Sequence, residues 1–196
     1  ASRNPSARSA AQKQPGAAVG ATKPTWPPVG STSSSTAADR GQPATESTEV
    51  RVAFDGDYLY IAAYCHDSDP AHIVVNDIRK DFAGREQDTF EVLLDTFADR
   101  RNGFVFATNA RGAKADTQIA NEGRDVNPNW DAVWWVEAHR DADGWTVEVR
   151  IPFKTLRYQG ADVQDWGIHV IRKVQSRGHE DSWAPAVLSG TSFLGQ

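Results

Sequence analysis

Residues 133–151, VWWVEAHRDADGWTVEVRI, decide the fold class of this chain. In the second arm, Trp145, Val147, Val149 and Ile151 alternate with Thr146, Glu148 and Arg150. A period of two puts the apolar set on one face of a strand and the polar set on the other. Asp143-Gly144 is a turn of the Asp-Gly type, and residues 133–140 supply the partner strand, so the stretch reads as a β-hairpin. Adjacent residues of a strand face opposite ways, so one of Trp134 and Trp135 enters the core and the other is covered or exposed.

The same alternation extends in both directions. Residues 51–54 and 58–65 flank a turn at Asp55-Gly56-Asp57. In the second of these strands, Leu59, Ile61 and Ala63 share one face and Tyr60, Ala62 and Tyr64 the other. Both faces are apolar, which marks a central strand. Residues 90–95 place Phe90, Val92 and Leu94 opposite Glu91, Leu93 and Asp95. Asn102-Gly103 turns into a strand at 104–109, and further strands fall at 114–120 and 166–174. Pro152 to Leu156 reads as a single helical turn. Trp145 and Trp166 open strands on apolar faces and read as core. No window of 12 or more residues holds a helical period. The expectation is an all-β fold, a β-sandwich of the jelly-roll or immunoglobulin-like kind with about eight to ten antiparallel strands.

Composition divides the 196 residues. Residues 1–50 hold no Ile, Leu, Phe or Met, and 34 of them are Ala, Ser, Thr, Pro or Gly. Such a segment cannot bury enough apolar surface to offset its ordering entropy. Residues 1–44 therefore read as a low-complexity, disordered segment; a second reading is a non-native segment from a frame error or a chimeric start. The expected divisions are 1–44, a folding unit at 45–187, and a linker start at 188–196 leading to a further region, in a chain truncated at both ends.

Charge divides the same way, with a net of +2 over residues 1–50 and −7 over the rest. An acidic body disfavours a nucleic-acid partner and suits divalent cations or neutral ligands such as sugars. No run approaches 18 apolar residues, so no helix here spans a bilayer. Lone Cys65 lies in an apolar run and reads as a buried, inert thiol.

The usual catalytic motifs are absent: there is no G-x-S-x-G, H-E-x-x-H, P-loop or G-x-G-x-x-G. Five scattered histidines form no ligand spacing. A glycosidase needs two carboxylates roughly 5 to 9 Å apart. Glu91 and Asp95 on one strand are about 13 Å apart, too far for that chemistry. Glu91 and Glu148 remain a pair that could meet across strands. For calcium, Asp67 and Asp69 bracket a turn, and residues 121–131 offer Asn121, Glu122, Asp125, Asn127, Asn129 and Asp131. These are the oxygen ligands calcium takes, and equally the residues that make turns by bonding their own backbone. Trp183, in a polar stretch, is either a stacking platform for a sugar face or a plug closing the sandwich edge.

Several stretches carry a resemblance. Residues 48–63 (TEVRVAFDGDYLYIAA), 67–70 (DSDP) and 88–95 (DTFEVLLD) resemble carbohydrate-binding module family 9. Residues 99–104 (DRRNGF), 130–134 (WDAVW), 144–157 (GWTVEVRIPFKTLR), 166–168 (WGI) and 180–185 (EDSWAP) resemble a branch of that family. In that branch the module precedes a long region thought to form an outer-membrane barrel. The ordered set covers roughly residues 45–187.

The resemblance implies a β-sandwich, often with bound structural calcium, that binds sugar chain ends and does no chemistry itself. It implies a parent protein that is exported (periplasmic, outer-membrane-associated or extracellular), acts in carbohydrate catabolism and in some cases is a glycoside hydrolase. Xylan- or glucan-like saccharides are the implied partners. The family's site clamps a sugar between two tryptophans and adds a glutamate, an arginine and amides. Carried over, the ligand-binding residues are Arg85, Glu86, Gln87, Glu91 and Trp183. Glu91 matches the glutamate and Trp183 one tryptophan. Arg85 stands where the other tryptophan falls, and Ala107 where the arginine falls. An arginine can stack on a ring and bond hydroxyls, so Arg85 is a candidate substitute. The rival expectation is a structural domain packed on a C-terminal membrane barrel, with no sugar site.

Overall fold

A computed structural model describes residues 34–35, 44–160 and 163–183, with positions 34, 35 and 183 described as backbone only. Two antiparallel sheets pack face to face, as the alternation required. The four-stranded sheet has the order β2-β3-β9-β8: β2 (Thr48–Phe54), β3 (Tyr58–His66), β9 (Gly144–Pro152) and β8 (Trp135–Asp141). The seven-stranded sheet runs β1-β11-β10-β4-β5-β6-β7. Its members are β1 (Ser34–Ser35), β11 (His179–Trp183), β10 (Gly167–Val174), β4 (Thr89–Asp95), β5 (Gly103–Asn109), β6 (Lys114–Ala120) and β7 (Asp125–Asn127).

The hairpin at 133–151 forms as read. β8 and β9 pair with Val136 opposite Val149 and Ala138 opposite Val147, and Trp145, Val147, Val149 and Ile151 are buried. Gly144 has a φ of 143°, and a Cβ there would lie 2.1 Å from the Cys65 carbonyl oxygen, so only glycine permits this approach of β9 to β3. At the other turn, the Asp55 carboxylate accepts bonds from the Asp57 and Tyr58 amides, both at 2.8 Å. The helical turn after Pro152 is a 3-10 turn, Phe153–Thr155.

The core joins both sheets: Leu59, Ile61, Val147 and Ile151 meet Phe90, Val92, Leu94 and Phe106. Trp134 is the core member of its pair; its indole N–H donates to the buried Asp116 carboxylate at 3.0 Å. Trp135 is 43% exposed. Cys65 is fully buried, which pushes its thiol up to about 12.

Three features differ from the sequence reading. β3 is central within its sheet, but only Leu59, Ile61, Ala63 and Cys65 face the core; its tyrosines lie on the outer face of the molecule. Trp166 falls just before β10 and is half-buried against Phe153 and Tyr158 at the rim. Residues 179–183, read as a polar stretch, form β11. Ser34 and Ser35 pair with Ser182 and Asp181, so β1 lies on the outer edge of β11. The remainder of segment 1–44 up to residue 43, and all of 188–196, lie outside the described residues.

Candidate functional site

Strand β4 presents Glu91 on the outer face of the large sheet, because Phe90 and Val92 beside it are core. In the register, Glu91 lies between Ile171 of β10 and Ala107 of β5, and Ala115 of β6 follows Ala107. Two alanines in succession leave a low floor beside the carboxyl. Thr89 donates its hydroxyl to Glu91 Oε1 at 3.1 Å. Burial, with the charge of Glu180 acting in the same direction, raises the Glu91 pKa above the usual range; the Thr89 bond and the Lys173 ammonium oppose this.

The 3-10 turn Gly84–Glu86 overhangs this carboxyl. A Cβ on Gly84 would lie 3.6 Å from Glu91 Oε1. The turn is held from two sides. Lys173, on the face of β10 that neighbours Glu91, donates from Nζ to the carbonyls of Gly84 and Arg85. Gln87 is 1% exposed and anchors the other side. Its carbonyl oxygen accepts from the Asn109 side-chain amide at 3.0 Å and from the Asn76 and Asp77 backbone amides, and its own amide donates to Ala83 O at 3.0 Å. Asn109 completes the clamp by donating to Asp77 O at 2.7 Å. Arg85 and Glu86 are consequently exposed at the lip of a trough with Glu91 on its floor.

Of the residues singled out from the sequence, Arg85, Glu86, Gln87 and Glu91 thus converge. Gln87 does so as a bracket, with both ends of its amide engaged inside the protein. Trp183 ends β11 opposite Val170, in the row that alternates with the Ser182–Ile171–Glu91 row; its side chain lies outside the described residues. Ala107, where the resemblance placed an arginine, is the direct neighbour of Glu91. Lys173 escaped the sequence reading. Its signal was its alternation with Ile171 on the outward face of β10, which has meaning only once β10 is known to lie beside β4.

The pairing of Glu91 with Glu148 is excluded. Glu148 lies on the outer face of the small sheet, between the core residues Val147 and Val149, on the opposite side of the molecule. Four of the calcium candidates have local partners. Asn127 Oδ1 accepts from the Asn129 amide, Glu122 meets Arg124 at 3.3 Å, Asp131 meets Lys80 at 3.2 Å, and Asp69 meets His72 at 2.7 Å. Among the described residues no three His, Cys, Asp or Glu side chains are grouped to hold a metal ion. The oxygens of Asn127, Glu122, Asp131 and Asp69 are thus engaged within the protein.

The trough can bind a hydroxyl-rich ligand: a carboxyl acceptor beside two alanines and an arginine exposed at the lip. The family model for carbohydrate family 9 binding domain-like proteins matches residues 20–184, beginning within the segment set apart by composition. A family 9 carbohydrate-binding module of Caldicellulosiruptor kristjanssonii in complex with glucose is similar in fold, at 17% identity and a TM-score of 0.50. The match covers 72% of this chain and 69% of that one. A candidate carbohydrate-binding protein of Bacteroides uniformis is similar at 14% identity and a TM-score of 0.63, over 83% and 79% of the two chains. No curated protein matches the chain.

Proposed function

The chain belongs to the carbohydrate family 9 binding domain-like family, and from that premise we propose that the Glu91 trough binds the end of a neutral glucan- or xylan-like chain without transforming it. The observation that carries this reading is the placement of Glu91 over the Ala107–Ala115 floor, beneath the Gly84–Glu86 turn. The ionised carboxyl accepts bonds from sugar hydroxyls, and a charged acceptor strengthens such bonds. Arg85 reaches from the lip, where its flat guanidinium offers both a stacking face and paired donors. The glucose complex of the Caldicellulosiruptor module supports a saccharide as ligand. We extend the reading to the parent protein as an exported component of glycan catabolism.

Calorimetric titration with cello- and xylo-oligosaccharides tests it. Binding stronger than about −4 kcal/mol, that is sub-millimolar, is expected. Glu91→Gln should weaken it by about 1.5–3 kcal/mol, the worth of a hydrogen bond to a charged group. Because the Glu91 pKa is raised and the acceptor is the ionised form, affinity should fall as pH drops through that raised value. A folded protein that gives no heat with either saccharide overturns the reading.

A further inference from the structure

On the side of the molecule away from the trough, Tyr60, Arg150 and Trp135 stand in one cross-strand row of the four-stranded sheet. Tyr58 joins them, its ring centroid 6.1 Å from Tyr60 and 6.2 Å from Trp135. The Arg150 guanidinium carbon lies 4.3 Å from the Trp135 centroid and 5.1 Å from that of Tyr58. Cation–π contact fixes the guanidinium without consuming its N–H donors. Among the described residues no carboxylate pairs with Arg150. The result is a shelf of rings with a preset fork of donors.

The next row on the same face is Arg51, Ala62, Glu148 and Glu137. Ala62 is short, and beside it lies a depression of about 50 Å³ lined by Arg51, Tyr60, Ile61, Ala62, Glu148 and Val149. Ligand pockets run to about 300–1,000 Å³, so this one is too small for a sugar ring. It exceeds the roughly 10–15 Å³ that one water needs, so it admits a substituent such as a hydroxymethyl arm, with a guanidinium and a carboxylate on either side. Other occupants fit less well. Glu49, Glu137 and Glu148 on this face oppose a phosphate backbone. A protein interface wants an apolar centre depleted of charge, whereas here charged rows alternate with the rings.

We propose that the outer face of the four-stranded sheet is a second saccharide-binding surface. A sugar ring stacks on the Tyr58–Trp135–Arg150 shelf and places its hydroxymethyl group in the Ala62 depression, so this surface selects hexose over pentose chains. The inference rests on the chain being a saccharide binder and uses no residue of the Glu91 trough.

The test is titration of the full chain and its variants with cellohexaose and xylohexaose, followed by heat and by amide NMR shifts. For the wild type, two cellohexaose sites are expected. Trp135→Ala removes one and leaves the melting temperature nearly unchanged. Glu91→Gln retains one, selective for cellohexaose. Ala62→Leu fills the depression and weakens cellohexaose at the shelf about tenfold, or about 1.4 kcal/mol, while sparing xylohexaose. Should Trp135→Ala unfold, Arg150→Gln reads the same loss. If Glu91→Gln abolishes all binding and Trp135→Ala changes neither affinity nor stoichiometry, the second surface is refuted and the trough stands. If Glu91→Gln changes nothing and Trp135→Ala abolishes binding, the shelf stands and the trough is refuted. A wild type that binds neither sugar refutes both.

Discussion

In the β3–β9 pair of the small sheet the inward rows are wholly apolar, and Glu148 and Arg150 face outward. In the large sheet, β10 carries Arg172 in its inward row between Val170 and Val174, at 2% exposure. That charge has partners from three places. The Ser47 carbonyl and the Thr48 hydroxyl accept from Nη1 at 3.1 and 3.2 Å, Asp67 lies 3.8 Å from Nη2, and Asp181 is its cross-strand neighbour. Asp88 and Asp181 are buried close to this charge, and burial raises the pKa of both. The β3–β9 pair is therefore held by area removed from water, and β10 with its neighbours also depends on buried polar groups that need each other. The difference matters for function, because the trough stands on the second kind of support and the shelf on the first.

The contrast is sharpest in what single substitutions cost. Arg172→Met removes a buried cation from among Asp67, Asp88 and Asp181, and should destabilise by about 3–5 kcal/mol in denaturant titration; a cost below about 1 kcal/mol would erase the distinction between β10 and the β3–β9 pair. Next, Gln87→Leu strands Asn109 and the Asn76 and Asp77 amides. It should cost about 1–3 kcal/mol and weaken saccharide binding in the trough, as titration of the variant would show. On the small sheet, Ile151→Val trims a buried methylene with no polar consequence and should cost only about 0.5–1.5 kcal/mol, leaving affinity unchanged.

The smallest expected effect is on pH dependence. Asp88, Asp181 and Glu91 have folded pKa values raised by burial, so their contribution to stability is fully present below their unfolded values and is lost as pH rises through the folded ones. Asp55, Asp77 and Asp99 are lowered, and their contribution is lost as pH falls below the usual carboxylate range. Mild acidification from neutrality should thus raise the melting temperature slightly before stronger acid lowers it. Asp181→Asn should flatten the rise, and a melting temperature that falls steadily from pH 7 would contradict the buried-acid account of the large sheet.

Legibility followed the same divide. The hairpin at 133–151, the Asp55-Gly56 turn and the core faces of β3 and β4 could be read because each is a local alternation that one burial direction explains. β11 could not: His179, Glu180, Asp181 and Ser182 show no apolar period, and they form a strand because β10 offers its edge. Glu91 and Arg85 were found through resemblance to a family. Their convergence with Lys173 depends on β10 lying next to β4, a neighbour some 80 residues away in the chain.

Alternation, turn chemistry and composition by themselves determined an all-β chain with a core of Trp, Phe, Ile and Val, because periodicity fixes which side chains leave water together. Strand order was left to the tertiary structure, because hydrogen-bonded edges carry no side-chain signature. That order decided which surface lies over Glu91, which carboxylates surround Arg172, and that Tyr58, Trp135 and Arg150 would share one face.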